Sequence, residues 1–275
     1  MQKPFVFHQG NSPLLISIPH AGIELPKEIK LRMTPAGVQT PDTDWHLPLL
    51  YDMAGRLGVS LLAAEYSRYV IDLNRPSDDS NLYPGMNTTR LCPVDTFSQA
   101  PIYRNGLEPT ANEIKLRTEQ YWQPYHLQLS NELDRMKNSY GVAVLWDAHS
   151  IASQVPRFFS GKLPDLNFGT VDGTSCDASL EQALSKVMQD ATNLSGYSHV
   201  FNGRFKGGYI TRHYGRPRSE IHAIQLEMCQ SIYMNEQEPF EYHPYRAQQL
   251  KHLLSTLLNT CLNWVQTRKV AKKMQ

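Results

Sequence analysis

Short apolar runs of strand length alternate with longer segments of helical periodicity along this chain. That alternation constrains the fold more than any single motif does. Leu14–Ile18 (LLISI) reads as a buried strand, and so does the apolar run in GVAVLWDAHS, which ends in polar residues. VSLLAAEY, RYVIDL, YIT and HAIQLEM are also strand-like. Between these runs, TDWHLPLLYDMAGRLG sets Leu47, Leu50, Tyr51, Ala54 and Leu57 at helical spacing, with Gly58 suited to end the helix. TANE at 110–113 is a capping box that opens a long helix, which Pro124 should kink and Gly141 should stop. Residues 179–191 read as helical, and Leu250, Leu253, Leu254, Leu257, Leu258, Cys261, Trp264 and Val265 form one apolar stripe. The pattern predicts an α/β protein: a mostly parallel, mixed central sheet covered by helices on both faces, three layers in all. With no internal repeat and no flexible linker, residues 1–275 read as one domain. Two segments break the rhythm, 74–109 and RFFSGKLPDLNFGTVDGTS at 157–175. Loops this long are usually functional or disordered, and both could wall a site.

Composition narrows the function by exclusion. Lys and Arg total 27 against 26 Asp and Glu, a net charge of +1, so no strong field draws the chain to nucleic acid or an anionic membrane. The basic end, Arg268-Lys269 and Lys272-Lys273, reads as a solvated terminus. No apolar run reaches the roughly 20 residues of a membrane span, and the first residues lack a signal-peptide pattern, so a cytoplasmic protein is expected. Cys92, Cys176, Cys229 and Cys261 are too scattered for a disulfide framework or a thiolate zinc site and read as structural.

In an open α/β sheet, ligands bind beyond the carboxyl ends of the strands. The residues at those ends are His20 after LLISIP, Asn74 and Arg75 after YVIDL, Asp147 and His149 in LWDAHS, and Glu227 in AIQLEM. Two histidines and a carboxylate suit a divalent metal, a further carboxylate suits proton transfer, and an arginine suits an anionic substrate. Ala21 and Gly22 would leave room beside His20. Each residue also has a plainer reading. His20 could be a turn histidine bonded to backbone, Glu227 a buried ion-pair partner, and Asp44 in PDTDWH a helix cap. The third metal ligand stays open between Asp44 and Glu24. His126 in QPYHLQL reads as a satisfied core histidine, and the surroundings of His46 are open.

Taken in order, SIPHAG, DTDWHLPLLYD, RYVIDLNRP, LWDAHS, GGYITRHYGRP and HAIQLEM resemble the N-formylglutamate amidohydrolase family, from Leu14 to about Tyr233. The family is similar to the zinc-carboxypeptidase-like, phosphorylase/hydrolase-type α/β/α enzymes. DLNR also resembles the substrate segment of amidases that cut an acyl group from an acidic amino acid. The resemblance implies that His20 and His149 bind one divalent metal, zinc above others, and that Glu227 is the general base. The carboxypeptidase-like pattern carries Glu three residues after the first histidine. Here that position is Ile23, so Asp44 is favoured as the third ligand, with Glu24 its competitor. Asn74 and Arg75 match a substrate-carboxylate pair, and Arg212 and His213 belong to the family pattern. The implied substrate, N-formyl-L-glutamate, is a small dianion that would call for two cationic anchors, Arg75 with Arg212 or Arg68. The implied reaction is attack of an activated water on the formyl carbon, releasing formate and L-glutamate in histidine breakdown. Alternatives are an amidohydrolase for another N-acyl or N-formimino acidic amino acid and a non-catalytic protein that binds a small acidic ligand. Oligomeric state is open.

Overall fold

The computed structural model describes residues 3–82, 85 and 87–273. Among them the sheet has seven strands: β1 (Phe5–His8), β2 (Leu14–Ile18), β3 (Ser60–Ala64), β4 (Ala143–Ile151), β5 (Leu166–Gly169), β6 (His199–Phe201) and β7 (Ile221–Cys229). Their order is β1-β3-β2-β4-β7-β5-β6. The four central strands run parallel, with β1 and β5 antiparallel to their neighbours β3 and β7. The expected mixed, mostly parallel sheet is therefore present, and both of its faces are covered.

Strand parity decides what each face meets. Leu14, Ile16, Ile18, Val144, Trp146, Ala148, Ile224, Leu226 and Met228 pack into one core with the helices Ala178–Ser195 and Pro244–Lys273. Leu15, Ala143, Leu145 and Ala223 pack on the other face against Tyr125, Leu129, Leu133 and Met136 of the helix Gln123–Tyr140. Because side chains alternate with period two, Asp147, His149, Gln225 and Glu227 all fall on this second face. The polar ends of two central strands are thereby aimed the same way.

The long helical segment starts at Ala111–Arg117 with Thr110 as cap, its side chain accepting from Glu113 N at 3.3 Å. The reciprocal arm of the capping box goes elsewhere, since the Glu113 carboxylate binds Arg32 and Arg117. A single π-helical turn, Thr118–Trp122, precedes Pro124, and the helix then runs unbroken to Gly141, whose positive φ of 76° closes it. Arg117, Tyr121, Tyr125, Leu129 and Leu133 recur every fourth residue and face inward. A spacing of four drifts by about 40° per step on a true α-helix, and the wider turn takes up part of that drift.

Four expectations need correction. RYVIDL is not a strand: residues 68–70 form a turn, and Tyr69 and Val70 bury themselves with Ile102 and Tyr103. Its alternation is satisfied by that local cluster rather than by a ladder. YIT opens the short helix Tyr209–Tyr214, whose Ile210 N donates to Asn74 Oδ1 at 2.8 Å. The second long loop contains β5, antiparallel to β7. The segment after Asp44 holds only one helical turn, Leu47–Leu50, before turns carry it to Gly58. The edge strands β1 and β6 are additions to the sequence reading, each too short to print a clear period. Arg268 is clasped by Asp177 at 2.5 Å and Glu220 at 3.2 Å, so the basic end is anchored at that residue. All four cysteines are buried and unpaired, as structural thiols should be.

Candidate active site

Asp44 joins the two histidines through backbone and side chain together. Its N–H donates to His20 O at 3.0 Å, fixing the loop to the end of β2. The loop is held from the far side by the segment after β7: Gln230 Nε2 donates to Thr43 O at 2.9 Å and Tyr233 Oη to Trp45 O at 2.9 Å. Asp44 Oδ2 then lies 3.0 Å from His149 Nδ1 and 3.7 Å from His20 Nδ1, and it accepts from Ser150 N at 3.2 Å. His20, Asp44 and His149 are all buried, and their ligand atoms lie within 4.8 Å of one another. Glu24, the competing third ligand, is exposed and bonds Glu65 and Ser67 through its backbone.

Each imidazole presents Nδ1 to Asp44 and turns Nε2 toward a second acid. His20 Nε2–H donates to Asp72 Oδ1 at 2.7 Å, which leaves the Nδ1 lone pair facing the centre of the group. His149 Nε2 lies 3.3 Å from Asp147 Oδ1, a fully buried oxygen with no hydrogen-bond partner. The same nitrogen lies 3.0 Å from Asn74 Nδ2, so it faces an amide donor as well as an acid. Burial opposes a charge on His149, but Asp147 and Asp44 outweigh it and hold its pKa well above the ordinary value. Burial would likewise raise Asp44, yet the adjacent imidazoles of His149 and His20 pull it well below the usual carboxylate range. Orienting acids behind metal-binding imidazoles are the usual way a protein fixes the ligand tautomer. Asp72 was not singled out from the sequence, although it stands two residues before Asn74.

Glu227 sits beside His149 in the β4–β7 ladder, where the two residues pair in register. Burial, reinforced by Asp44 and opposed by the charge of His149 and Arg68, raises its carboxyl to about 8. That places a buried base within the range useful for proton transfer near neutrality.

The expected substrate residues divide. Arg68, Asn74 and Arg75 line the cleft with His20, Asp44, His149 and Glu227, whereas Arg212 and His213 are not among its lining residues. Arg212 Nε donates to Gly207 O at 2.9 Å, and His213 is exposed and stacks on Tyr209 at 5.0 Å. Arg68 is spent on the site's own acids, 2.6 Å from Asp72 and 3.9 Å from Asp44. Asn74 is an internal strut, with Oδ1 on Ile210 N and Nδ2 3.0 Å from His149 Nε2. Among the described residues, Arg75 donates to neutral oxygens, Thr89 O, Thr89 Oγ1 and Asn74 O. Arg204, Phe205, Phe158 and Phe97 line the cleft as well and come from loops that carry no periodic signal. Gly22 serves packing rather than open space: a Cβ there would lie 2.3 Å from Tyr66 O.

His126 is the satisfied core histidine expected. Nε2–H donates to Leu73 O at 2.9 Å, Nδ1 accepts from Tyr214 Oη at 3.0 Å, and Trp122 stacks on the ring at 3.8 Å. His46 Nε2–H donates to Phe240 O at 2.7 Å, which is also a structural role. Burial depresses the His126 pKa to about 3. Between the ordinary value near 6.5 and about 3, the unfolded chain binds a proton that the folded chain refuses. Stability present above pH ~6.5 should therefore be lost as pH falls, at up to roughly 1.4 kcal/mol per unit from this group. Denaturant unfolding of the parent and of His126→Gln from pH 7 to 4 checks this: the parent curve should be the steeper. Parallel curves would remove His126 as the cause.

The fold and site together define an α/β/α protein with a buried His20–Asp44–His149 group, able to hold a metal ion, at the carboxyl edge of its sheet. Comparison with known proteins is in accord. Residues 12–234 match the model of the N-formylglutamate amidohydrolase family, and the chain belongs to that family. It is 53% identical to N-formylglutamate deformylase of Pseudomonas putida over 264 residues, covering 96% of this chain and 97% of the relative. It is 48% identical to N-formylglutamate deformylase of Pseudomonas aeruginosa over 268 residues, covering 98% and 99%. The crystal structure of N-formylglutamate amidohydrolase from Ralstonia eutropha JMP134 superposes with a TM-score of 0.82 at 24% identity, covering 97% of this chain and 99% of that one, and so shares the fold.

Proposed function

We propose that the chain hydrolyses N-formyl-L-glutamate to formate and L-glutamate, with His20, Asp44 and His149 holding one divalent metal, zinc above others. The observation that carries the reading is the full-length identity of 48% to 53% to two N-formylglutamate deformylases. The buried His20–Asp44–His149 group agrees with it. The donor set of two nitrogens and one oxygen fits such an ion. A bound ion of this kind supplies Lewis-acid polarisation and lowers the pKa of water. The chain's own residues do the rest. Glu227 accepts a proton from the attacking water and delivers it to the departing amine. Asp72 keeps the His20 tautomer fixed. Arg75 receives a substrate carboxylate, and the formyl carbon faces Glu227. We further propose that residues 1–275 act as a single domain and that the reaction serves histidine breakdown in the cytoplasm. No helix among the described residues is long and apolar enough to cross a membrane.

A panel of N-formyl-, N-formimino-, N-acetyl- and N-succinyl-L-glutamate tests the reading, with formate release measured on the first. The expected order puts the formyl compound ahead of the bulkier acyl groups. A preference for acetyl or succinyl would overturn deformylation, and tight binding without any turnover in metal-replete protein would favour a sensor.

A further inference from the structure

The cleft requires a second cation for a dianionic substrate, and the structure moves that role away from the expected residues. Arg68 is neutralised by Asp72 and Asp44, and Arg212 lies outside the cleft lining. We infer that Arg204 is the second anion anchor and that it selects the side-chain carboxylate of the substrate. This rests on the deformylase reading above.

The topology makes the case first. Arg75 belongs to the long segment that leaves β3, near one end of the sheet, while Arg204 follows β6 at the other end. Segments that begin at opposite ends of the sheet therefore contribute one arginine each to the lining of the same cleft. The local geometry fixes the second of these. Arg204 Nε donates to Phe158 O at 2.8 Å, and its guanidinium lies 5.5 Å from the ring of Phe205. A guanidinium carries five N–H donors in a planar fork, so a bond through Nε sets the plane and is compatible with bidentate carboxylate binding along another edge. Phe158 in turn packs edge-on against Phe97 at 5.0 Å. Arg204 is thus held against an aromatic wall of half-buried rings.

The assignment of carboxylates follows from connectivity. Asn74 touches His149, and Arg75 is its chain neighbour, so Arg75 is the anchor tied to the metal-binding group. The α-carboxylate sits on the carbon that bears the formamide and goes to Arg75. The side-chain carboxylate lies further along the substrate and goes to Arg204.

The test compares N-formyl-L-glutamate with N-formyl-L-glutamine, which replaces only the distal carboxylate by a neutral amide. Arg204→Gln should lower kcat/KM for the diacid by roughly 10- to 100-fold and change it for the amide by less than about 3-fold. Arg204→Lys should restore part of the preference. Inhibition by L-glutamate relative to L-glutamine gives the same ratio independently of turnover and should fall in step. Equal losses on both substrates, with or without a lowered Tm, would make Arg204 a structural tie and overturn the inference, as would an unchanged diacid preference. Failure of the parent protein to release formate from N-formyl-L-glutamate would instead overturn the deformylase reading.

Discussion

Glu227→Gln is expected to keep its fold and its metal content while losing turnover by about two orders of magnitude or more, the scale of a lost general acid–base group. The substitution conserves volume, so the cleft wall contributed by β7 stays intact. The backbone contacts of the residue, such as Glu227 O accepting from Asn167 Nδ2 at 3.2 Å, are untouched. What disappears is a carboxylate that burial has raised to about 8 beside His149. The loss should fall on kcat, because proton transfer belongs to the reaction step rather than to substrate binding. Steady-state formate release, with metal content measured on the same preparation, decides the matter. Full activity in the variant would take Glu227 out of the reaction.

Removal of the metal should be as severe. Dialysis against a chelator is expected to bring formate release below about 1% of the starting rate, with recovery on adding a divalent ion. Asp44→Asn should reproduce much of that loss, since Asp44 Oδ2 is the oxygen that both Nδ1 atoms face. Asp72→Asn acts one step away, through the tautomer of His20, and should cost roughly 10- to 100-fold in metal affinity or activity. Elemental analysis with assay of the same samples separates these cases, and undiminished activity in verified metal-free protein would end the metal proposal.

Much of the site was written in strand parity. LWDAHS and AIQLEM each place polar residues two apart, and period two sends Asp147 with His149, and Gln225 with Glu227, to the same face. His20 was legible because a proline and a histidine directly follow an all-apolar run. Asp44 was favoured over Glu24 only through the family resemblance; spacing could not decide it, because Asp44 reaches the group through a loop closed by Gln230 and Tyr233, residues nearly two hundred positions away in the segment after β7. RYVIDL misled for a similar reason: Tyr69 and Val70 found partners in Ile102 and Tyr103, while Ile71 and Leu73 packed on the sheet face without joining a ladder. Arg204 was invisible because its place depends on the carbonyl of Phe158, which has no counterpart in local periodicity.

The π-helical turn at Thr118–Trp122 bears on which lengths of this helix the site can tolerate. Trp122 Nε1 donates to Arg75 O at 2.9 Å, and one turn later His126 donates to Leu73 O at 2.9 Å. Both bonds brace the Leu73–Arg75 stretch from the helix side. One residue is worth about 100° of helix rotation, and the wide turn acts as a phase adjuster between two rigid rods. It lets Arg117 serve the Tyr69–Tyr103 cluster while Tyr125 and Leu129 serve the sheet. A chain one residue shorter here could keep either register but not both, and the two struts under Arg75 would swing out of place together.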